Sequence, residues 1–185
     1  KIRMGFIGVG NRASQLLNLF MVNDDVEVAA LCDVYEPYMG RDRKNVAKRY
    51  IKELEGRIPG MGETFDKPPK TYKDYRDLLA DKDIDAVCIA TPDHWHMPIS
   101  VAAVRSGKDV YCEKPLTLTI AEGRELADEV KRCGRVFQTG SQQRSGSEFR
   151  KACEILEGLA PVMAAIKQVE VEIIDYAFDP FAQFG

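Results

Sequence analysis

Short runs of apolar residues alternate along this chain with segments in which apolar residues recur every three or four positions. The short runs contain few polar residues, which is typical of strands that are covered on both faces. Strands that alternate with amphipathic helices predict an α/β fold with a doubly wound, mostly parallel sheet. The predicted strands are Arg3–Val9, Glu27–Asp33, Ile84–Thr91, Asp109–Cys112 and Arg135–Thr139.

The segments between these strands have helical spacing, and several carry signals for the beginning or end of a helix. Pro98 suits a first helical turn, and Gly107 and Gly134 suit helix ends. Thr119 followed by Glu122 is the pattern of a capping box. The predicted helices are Ala13–Met21, Tyr38–Leu54, Tyr72–Ala80, Pro98–Ser106, Thr119–Cys133 and a last one that ends near Gly158.

Two stretches depart from this rhythm. The segment Gly56–Pro69 is rich in glycine and proline and predicts a loop. The run Ile166–Ile174 alternates apolar with polar residues, which predicts a strand with one solvent-facing side.

Composition excludes several classes of partner. The chain has 185 residues and a formal net charge of −3, so we expect neither nucleic acid nor a membrane surface to bind it. Its apolar runs fall far short of the roughly 20 residues that a membrane-spanning helix needs. The five cysteines are an odd number, and Cys32, Cys88 and Cys112 lie in apolar strands. These features predict free core thiols and a cytoplasmic location, with an exported origin left open.

The first predicted strand ends in a glycine pattern, G-x-G-x-x-A, made by Gly8, Gly10 and Ala13. Gly8 allows a tight turn, Gly10 lets the backbone approach a pyrophosphate, and Ala13 lets the next helix pack closely on the strand. Asp33 ends the second predicted strand, where a carboxylate can accept hydrogen bonds from the adenosine ribose hydroxyls. This combination predicts a dinucleotide site. The alternative is a Rossmann-like sheet that binds no nucleotide.

The acidic residue also bears on which dinucleotide is bound. The Asp33 carboxylate repels the additional phosphate of NADP, and the next residues, Val34 and Tyr35, supply no cation to neutralise it. NAD is therefore favoured over NADP. Three arginines would weaken this preference if their side chains fold back over the ribose, namely Arg12, Arg41 and Arg43.

The two histidines of the chain lie together in the segment Thr91–His96, which follows a predicted strand. Loops at the carboxyl ends of sheet strands are where α/β proteins bind ligands, so we expect this segment to contact the cofactor. The alternative is a metal site made by Asp93, His94 and His96. The chain offers no further histidine and its cysteines fit a core, so no metal is predicted.

Glu113, Lys114 and Pro115 follow the strand predicted at Asp109–Cys112. A lysine beside a glutamate is commonly a solvated pair. Apolar residues on both sides, and a position at the same sheet edge as the glycine turn, favour a desolvated lysine next to the cofactor. Such a lysine is suited to proton transfer or to hydrogen bonding a substrate hydroxyl.

Taken in order along the chain, these motifs resemble the Gfo/Idh/MocA family of nicotinamide-dependent oxidoreductases. The resemblance covers roughly residues 1–158, it includes the segment Gly140–Ser145, and Glu-Lys-Pro is its most specific motif. It implies that the cofactor, NAD, lies across the edge of the sheet and that Lys114 is the catalytic residue near the nicotinamide. The cofactor-binding residues that it implies are Gly8, Gly10, Asn11, Arg12, Asp33, Thr91, Pro92, Trp95, His96, Glu113 and Gln142.

The resemblance further implies hydride transfer between NAD and a secondary alcohol of a sugar or polyol. Family members have a second α/β domain that forms the substrate pocket and usually supplies an aspartate and histidine pair, whereas no histidine follows His96 here. We therefore expect a dinucleotide-binding domain at residues 1–158. Residues 159–185 are then a strand and an aromatic tail, as a remnant or a replacement of the second domain. Whether the chain acts as an enzyme by itself stays open.

Two alternatives accompany this interpretation. The chain could be a truncated or engineered Rossmann module that binds nucleotide or self-associates without catalysis. It could also be an NAD-dependent relative that cleaves glycosides. The aromatic tail, with Tyr176, Phe178, Phe181 and Phe184, either covers its own sheet or forms a self-association surface. We expect a homo-oligomer that forms through the last strand and this tail.

Overall fold

The computed structural model of the chain describes residues 1–21, 23–40 and 67–165. The chain divides into two compact units, Lys1–Gly140 and Ser141–Gly185. The predicted domain boundary at residue 158 stays a prediction. Outside the described residues lie the predicted helix beyond Gly40, most of the predicted loop at 56–69, the predicted strand at 166–174 and the aromatic tail.

The first unit is built around a sheet that has six parallel strands in the described part of the chain. These are β1 (Ile2–Ile7), β2 (Val26–Cys32), β3 (Lys70–Tyr72), β4 (Ala86–Ile89), β5 (Asp109–Glu113) and β6 (Phe137–Gly140). Their spatial order is β3-β2-β1-β4-β5-β6, which confirms the predicted doubly wound α/β fold. The winding changes direction between β1 and β4, and ligands of such sheets bind at the carboxyl ends of the strands at that point.

Helices connect the strands of the first unit. They are α1 (Asn11–Met21), α2 (Glu36–Gly40), α3 (Tyr75–Ala80), α4 (His96–Arg105) and α5 (Ile120–Cys133), and a 3-10 turn, Asp93–Trp95, leads directly into α4. None of the helices in the described ranges is long and apolar enough to cross a membrane.

Adjacent residues of β1 belong to two different cores, one on each face of the sheet. Phe6 packs in the core that contains Leu16 and Leu17 of α1. Ile7 packs in the core that contains Leu78 of α3. All five residues are 3% exposed or less, so both faces are covered. This confirms the interpretation of apolar runs without alternation as strands buried on both sides.

The sequence does not predict β3, and the predicted helix Tyr72–Ala80 is wrong at its beginning. Tyr72 is the last residue of β3, and α3 begins at Tyr75. Asp74 determines this start, because its carboxylate accepts a hydrogen bond from the Arg76 amide at 2.9 Å. A strand of three residues at a sheet edge has no buried residue and leaves no apolar pattern to detect.

The predicted boundary signals of the later helices are confirmed. The Thr119 hydroxyl accepts a hydrogen bond from the Glu122 amide at 3.2 Å, and the Glu122 carboxylate accepts one from the Thr119 amide at 3.1 Å. Gly134 ends α5 with φ +62°. Gly107 follows α4 with φ +78°. Pro98 lies in the first turn of α4. Amides in a first turn have no acceptor inside the helix, so the missing amide hydrogen of proline costs no hydrogen bond there.

The second unit is described as far as residue 165. It contains a 3-10 turn, Gln142–Ser145, followed by α6 (Ser147–Ala165). The predicted helix end near Gly158 is therefore wrong. A Cβ at Gly158 would meet no atom within 4 Å, so this glycine lies on an open stretch of the helix, where it lowers helix propensity without ending the helix.

Candidate functional site

The turn after β1 places the glycine pattern directly against the chain that leaves β4. Gly8 has φ +81°, and its amide donates to the carbonyl oxygen of Cys32 at 2.8 Å. A Cβ on Gly8 would lie 2.8 Å from the backbone nitrogen of Thr91 and 2.9 Å from its Cα. Only glycine therefore allows this turn, on grounds of both backbone conformation and space.

The carboxylate of Asp33 joins the same turn to the end of β2. Its Oδ2 accepts a hydrogen bond from the amide of Val9 at 2.8 Å, and its Oδ1 accepts one from the amide of Tyr35 at 2.9 Å. Each carboxylate oxygen has a further acceptor position, so a partly buried Asp33 can also accept hydrogen bonds from ligand hydroxyls. Asp33 thus helps to hold the glycine turn in its conformation. This role is not evident from its position in the sequence.

The start of α1 presents hydrogen-bonding groups beyond the glycine turn. Because α1 begins at Asn11, the amides of its first turn have no acceptor inside the helix. A Cβ on Gly10 would meet only the Tyr38 ring, at 3.6 Å, so a ligand can approach the backbone closely. Within the described ranges, Asn11 Oδ1 and Thr91 Oγ1 are buried without a hydrogen-bond partner. An open glycine turn, a helix N-terminus and a threonine hydroxyl that can donate fit the pyrophosphate of a dinucleotide, whereas Asn11 Oδ1 can only accept and would need a donor such as a hydroxyl or an amide of the ligand.

A buried ion pair joins α1 to the end of β5. Nε and Nη2 of Arg12 donate to Oε1 of Glu113 at 2.9 and 2.7 Å, and the Glu113 side chain is 6% exposed. Gly140 covers this carboxylate, because a Cβ there would lie 2.8 Å from Oε1. Burial, followed by the nearby Glu113 carboxylate, raises the pKa of Tyr111 to about 12, so its hydroxyl remains a donor, 3.5 Å from Oε1. Tyr111 is a neighbour of the site that the sequence does not single out, and Gly140 enters the sequence analysis only as the first residue of the segment Gly140–Ser145.

The ring of His96 connects two backbone segments at the same edge. Nε2 lies 2.9 Å from the carbonyl oxygen of Thr91, and Nδ1 lies 2.6 Å from the carbonyl oxygen of Pro115. His96 is 1% exposed and begins α4. The ring therefore joins the chain that leaves β4 to the loop that follows β5.

Lys114 lies between Glu113 and Pro115 and is exposed. The expectation of a desolvated lysine is therefore wrong for the described chain, because β5 ends at Glu113 and Lys114 already belongs to a surface loop. The lysine nevertheless lies at the carboxyl edge of the sheet, next to the ion pair of Arg12 and Glu113.

The remaining predicted site residues lie on exposed segments. Pro92 and Trp95 are exposed on the loop after β4, and the Trp95 ring lies 6.2 Å from the ring of Tyr75. Gln142 is exposed on the 3-10 turn of the second unit. These three assignments stay predictions.

Among the residues that the structure describes, no three His, Cys, Asp or Glu side chains form a group that could hold a metal ion. Both ring nitrogens of His96 face carbonyl oxygens. The five cysteines are free, and Cys32, Cys88 and Cys112 are buried, as the sequence predicts. Burial raises the pKa of Cys32 and of Cys112 to about 12. Both thiols therefore stay protonated at neutral pH, as buried core thiols do.

A comparison with protein families finds one match that covers most of the chain. Residues 2–141 match a family described as an oxidoreductase family with an NAD-binding Rossmann fold. This range contains all six described strands and every predicted site residue except Gln142.

Curated relatives are considerably longer than this chain. A Glycosyl hydrolase family 109 protein of Shewanella sp. (strain W3-18-1) is 34% identical over 135 residues, which are 71% of this chain and 26% of the relative. The chain thus spans about a quarter of the length of this relative.

Solved structures share the fold over a similar range. A probable dehydrogenase from Thermotoga maritima is 27% identical with a TM-score of 0.64, and the match covers 85% of this chain and 41% of that one. A scyllo-inositol dehydrogenase from Lactobacillus casei, solved with bound NAD(H) and scyllo-inositol, is 21% identical with a TM-score of 0.66. That match covers 86% of this chain and 42% of the dehydrogenase. At this identity it establishes the fold alone.

Proposed function

The chain belongs to the Gfo/Idh/MocA oxidoreductase family, whose NAD-binding Rossmann domain it carries at residues 2–141, and on this premise we propose that it serves hydride transfer between NAD and a secondary alcohol of a sugar or polyol. One observation carries the proposal: the open glycine turn, the Asp33 carboxylate and the exposed Lys114 lie at the same carboxyl edge of one sheet. The choice of a sugar or polyol comes from the resemblance of the motifs to the family.

The residues around the glycine turn would hold the dinucleotide. The first amides of α1 and the backbone at Gly10 would bind its pyrophosphate, and Asp33 would accept hydrogen bonds from its ribose hydroxyls. Asn11 Oδ1 and Thr91 Oγ1 are buried without a partner among the described residues, so a small movement on binding would give each of them one. Pro92, Trp95 and Gln142 remain proposed contacts.

The ion pair of Arg12 supports NAD over NADP. A cation is needed near Asp33 to neutralise the additional phosphate of NADP. Arg12 is the one arginine named from the sequence that lies in the described ranges, and its guanidinium is already engaged, because Nε and Nη2 donate to Glu113 and Nη1 donates to Gln15. Val34 is exposed and uncharged. The residues Arg41 and Arg43 lie outside the described ranges.

Lys114 is proposed to handle the proton of the reacting alcohol. When bound, the nicotinamide supplies the chemistry of accepting a hydride from the substrate carbon. The Lys114 amine, in its unprotonated form, takes the proton of the substrate hydroxyl as the carbonyl forms, and returns it to water afterwards. The two residues beside it are held in place, Glu113 by Arg12 and Pro115 by His96.

Isothermal titration with NADH and NADPH tests the binding proposal. We expect NADH to bind at least tenfold more tightly, and we expect Asp33→Asn to reduce this ratio about tenfold, because the charge that repels the phosphate is gone (about 1.4 kcal/mol). Asp24→Asn is the control, since it removes an exposed carboxylate from the turn after α1. Failure of both nucleotides to bind would remove the proposal, and a preference for NADPH would overturn the role of Asp33.

The role of Lys114 is tested by the formation of NADH from NAD with inositols and a panel of sugars. Lys114→Met should lower turnover about 100-fold or more while the affinity for NADH stays within about threefold, because a proton acceptor is lost and the binding groups remain. Lys82→Met removes an exposed lysine elsewhere and should leave both values unchanged. Unaltered turnover in Lys114→Met would exclude the assignment.

A second candidate function is glycoside cleavage through transient oxidation. It is favoured by the name of the Shewanella relative, a glycosyl hydrolase. In this reaction the hydride that leaves the sugar is later returned to it, the glycosidic C–O bond breaks, and water supplies the hydroxyl of the product. Nitrophenyl glycosides distinguish the two functions. Release of nitrophenolate without accumulation of NADH supports cleavage, and accumulation of NADH without release supports dehydrogenation.

A further inference from the structure

Lys114 is exposed, but both of its neighbours in the chain are anchored. The Glu113 carboxylate accepts two hydrogen bonds from Arg12, and the Pro115 carbonyl oxygen lies 2.6 Å from Nδ1 of His96. A lysine amine is attached through four flexible bonds, so its position at an exposed site depends on how firmly the backbone beneath it is held. The anchor of Pro115 is therefore relevant to what Lys114 can do.

The resemblance implies that His96 contacts the cofactor, and this stays a prediction, but both nitrogens of the ring are already engaged by the protein. His96 is 1% exposed, and its two nitrogens face the carbonyl oxygens of Thr91 and Pro115. Thr91 in turn lies against Gly8 of the glycine turn. The ring thus connects the loop of Lys114 to the backbone that shapes the dinucleotide site.

We propose that His96 is a positioning residue, whose Nδ1 holds the Pro115 carbonyl and so places the Lys114 amine without contacting cofactor or substrate. The inference rests on the proposed function of Lys114. It requires at this position a side chain that reaches the carbonyl oxygens of Thr91 and Pro115 and carries a donor toward Pro115.

The position of the ring proton of His96 decides which of its two contacts is a hydrogen bond. A neutral imidazole donates through one nitrogen only, whereas the imidazolium donates through both. The contact of Nδ1 with Pro115 is shorter than the contact of Nε2 with Thr91, 2.6 against 2.9 Å. We assign the ring proton to Nδ1, which makes the contact with Pro115 a hydrogen bond, and the two substitutions that follow test this tautomer.

Two substitutions separate the two links. The side-chain amide of asparagine can occupy the position of Nδ1, and that of glutamine can occupy the position of Nε2. His96→Asn therefore keeps a donor toward Pro115, and His96→Gln keeps one toward Thr91. His94→Gln is the matched control, because His94 is the exposed neighbouring histidine.

Backbone hydrogen exchange is the first measurement, resolved at the amides of Leu118 and Thr119, which are hydrogen-bonded at the end of the Lys114 loop. We expect exchange there to accelerate about tenfold or more in His96→Gln, to stay near the wild-type rate in His96→Asn and in His94→Gln, and to remain unchanged in β1 and β4 in all three. Equal wild-type rates in both His96 variants would overturn the proposal. Faster exchange throughout the strands in both would also overturn it, because His96 would then be a core residue only. Slower exchange in His96→Gln than in His96→Asn would assign the effect to the contact with Thr91 instead.

The fluorescence of bound NADH is the second measurement, because its emission reports on the nicotinamide end while the dissociation constant is dominated by the rest of the molecule. We expect His96→Gln to change the emission of bound NADH and to keep the dissociation constant within about threefold, whereas His96→Asn keeps both. An emission that is unchanged in His96→Gln would overturn the link to the nicotinamide end. If the wild-type chain binds no NADH, the proposed function fails, and the exchange measurement still decides whether His96 holds the loop.

Discussion

The two edges of the sheet differ in whether their polar groups find hydrogen-bond partners within the chain. At the amino edge, where the strands begin, Arg3 donates to Asp85 at 2.7 and 3.0 Å. The buried Lys108 donates to the carbonyl oxygens of Asp81 and Ile84, each at 2.7 Å, and its burial lowers the pKa of this lysine. The charged groups at the amino edge therefore pair with one another or donate to backbone carbonyl oxygens.

At the carboxyl edge the chain leaves hydrogen-bonding capacity unused. Asn11 Oδ1 and Thr91 Oγ1 have no partner in the described ranges, the first amides of α1 have no helical acceptor, and Lys114 is exposed. Buried polar groups in folded proteins find a partner in the protein, in ordered water or in a ligand, and a dinucleotide bound at this edge would supply one. The difference indicates that one edge stabilises the fold and the other serves binding.

Two glycines with the same backbone conformation provide the strongest test of this difference. Gly8 at the carboxyl edge has φ +81°, and Gly107 at the amino edge has φ +78°, where a Cβ would meet no atom within 4 Å. We expect Gly107→Ala to cost about 1 kcal/mol of unfolding free energy through backbone strain alone. Gly8→Ala should cost about 3 kcal/mol, because its Cβ also collides with the backbone of Thr91.

Urea unfolding and NADH titration measure the two effects. Gly8→Ala should abolish NADH binding, and Gly107→Ala should preserve it. Equal losses of stability in the two variants would show that the contact of the glycine turn with β4 is looser than the structure indicates.

Two arginines, one at each edge, form the second test. Arg12→Met leaves the Glu113 carboxylate, 6% exposed, without its cation, and we expect a loss of about 2 kcal/mol in unfolding free energy. Adding Glu113→Gln to this variant should recover much of the loss, because the buried charge is gone. Arg3→Met should have a much smaller effect, since the Asp85 side chain is 41% exposed and water can solvate it. A double-mutant cycle in urea measures the coupling, and similar losses for the two arginines would contradict the comparison.

The smallest effect is a dependence of stability on pH that belongs to the amino edge. Hydrogen bonds from the Arg3 side chain and amide hold the pKa of Asp85 down to about 2. A depressed pKa stabilises the folded chain above the unfolded value of about 4, and this contribution disappears as the pH falls toward 2. We expect Asp85→Asn to remove about 1 kcal/mol or less of this acid sensitivity, because the pair is partly exposed. Denaturation midpoints between pH 2 and 6 measure it, with Asp24→Asn as the control. An unchanged pH profile in Asp85→Asn would contradict the assignment.

Local signals explain why most of the fold can be predicted from the sequence. β1, β2, β4 and β5 are apolar runs, and the capping box at Thr119 is a pattern of adjacent residues. By contrast, β3 has three residues that are stabilised by pairing with β2, and this pairing leaves no mark in the strand itself. The helix end near Gly158 is mispredicted because glycine interrupts a helix only weakly.

The identity of the site residues follows from motifs, but their contacts do not. Gly8, Gly10 and Asp33 are recognisable because their roles depend on spacing along the chain. The pairing of Arg12 with Glu113, and the bonds of His96 to carbonyl oxygens, depend on residues far apart or on backbone atoms that any residue carries. The exposure of Lys114 likewise depends on where β5 ends. Tertiary contacts of this kind have no sequence signature.

The strand order also determines when the site forms during folding. Arg3 and Asp85, which flank the central strand pair, are 82 residues apart, and Arg12 and Glu113 are 101 residues apart. Contacts over such separations form slowly, because a long loop must close before any bond compensates for the lost entropy. During synthesis the glycine turn therefore emerges well before its partners on β4 and β5. We expect the dinucleotide to bind the completed sheet and to stabilise it by mass action, without guiding the nascent chain toward it.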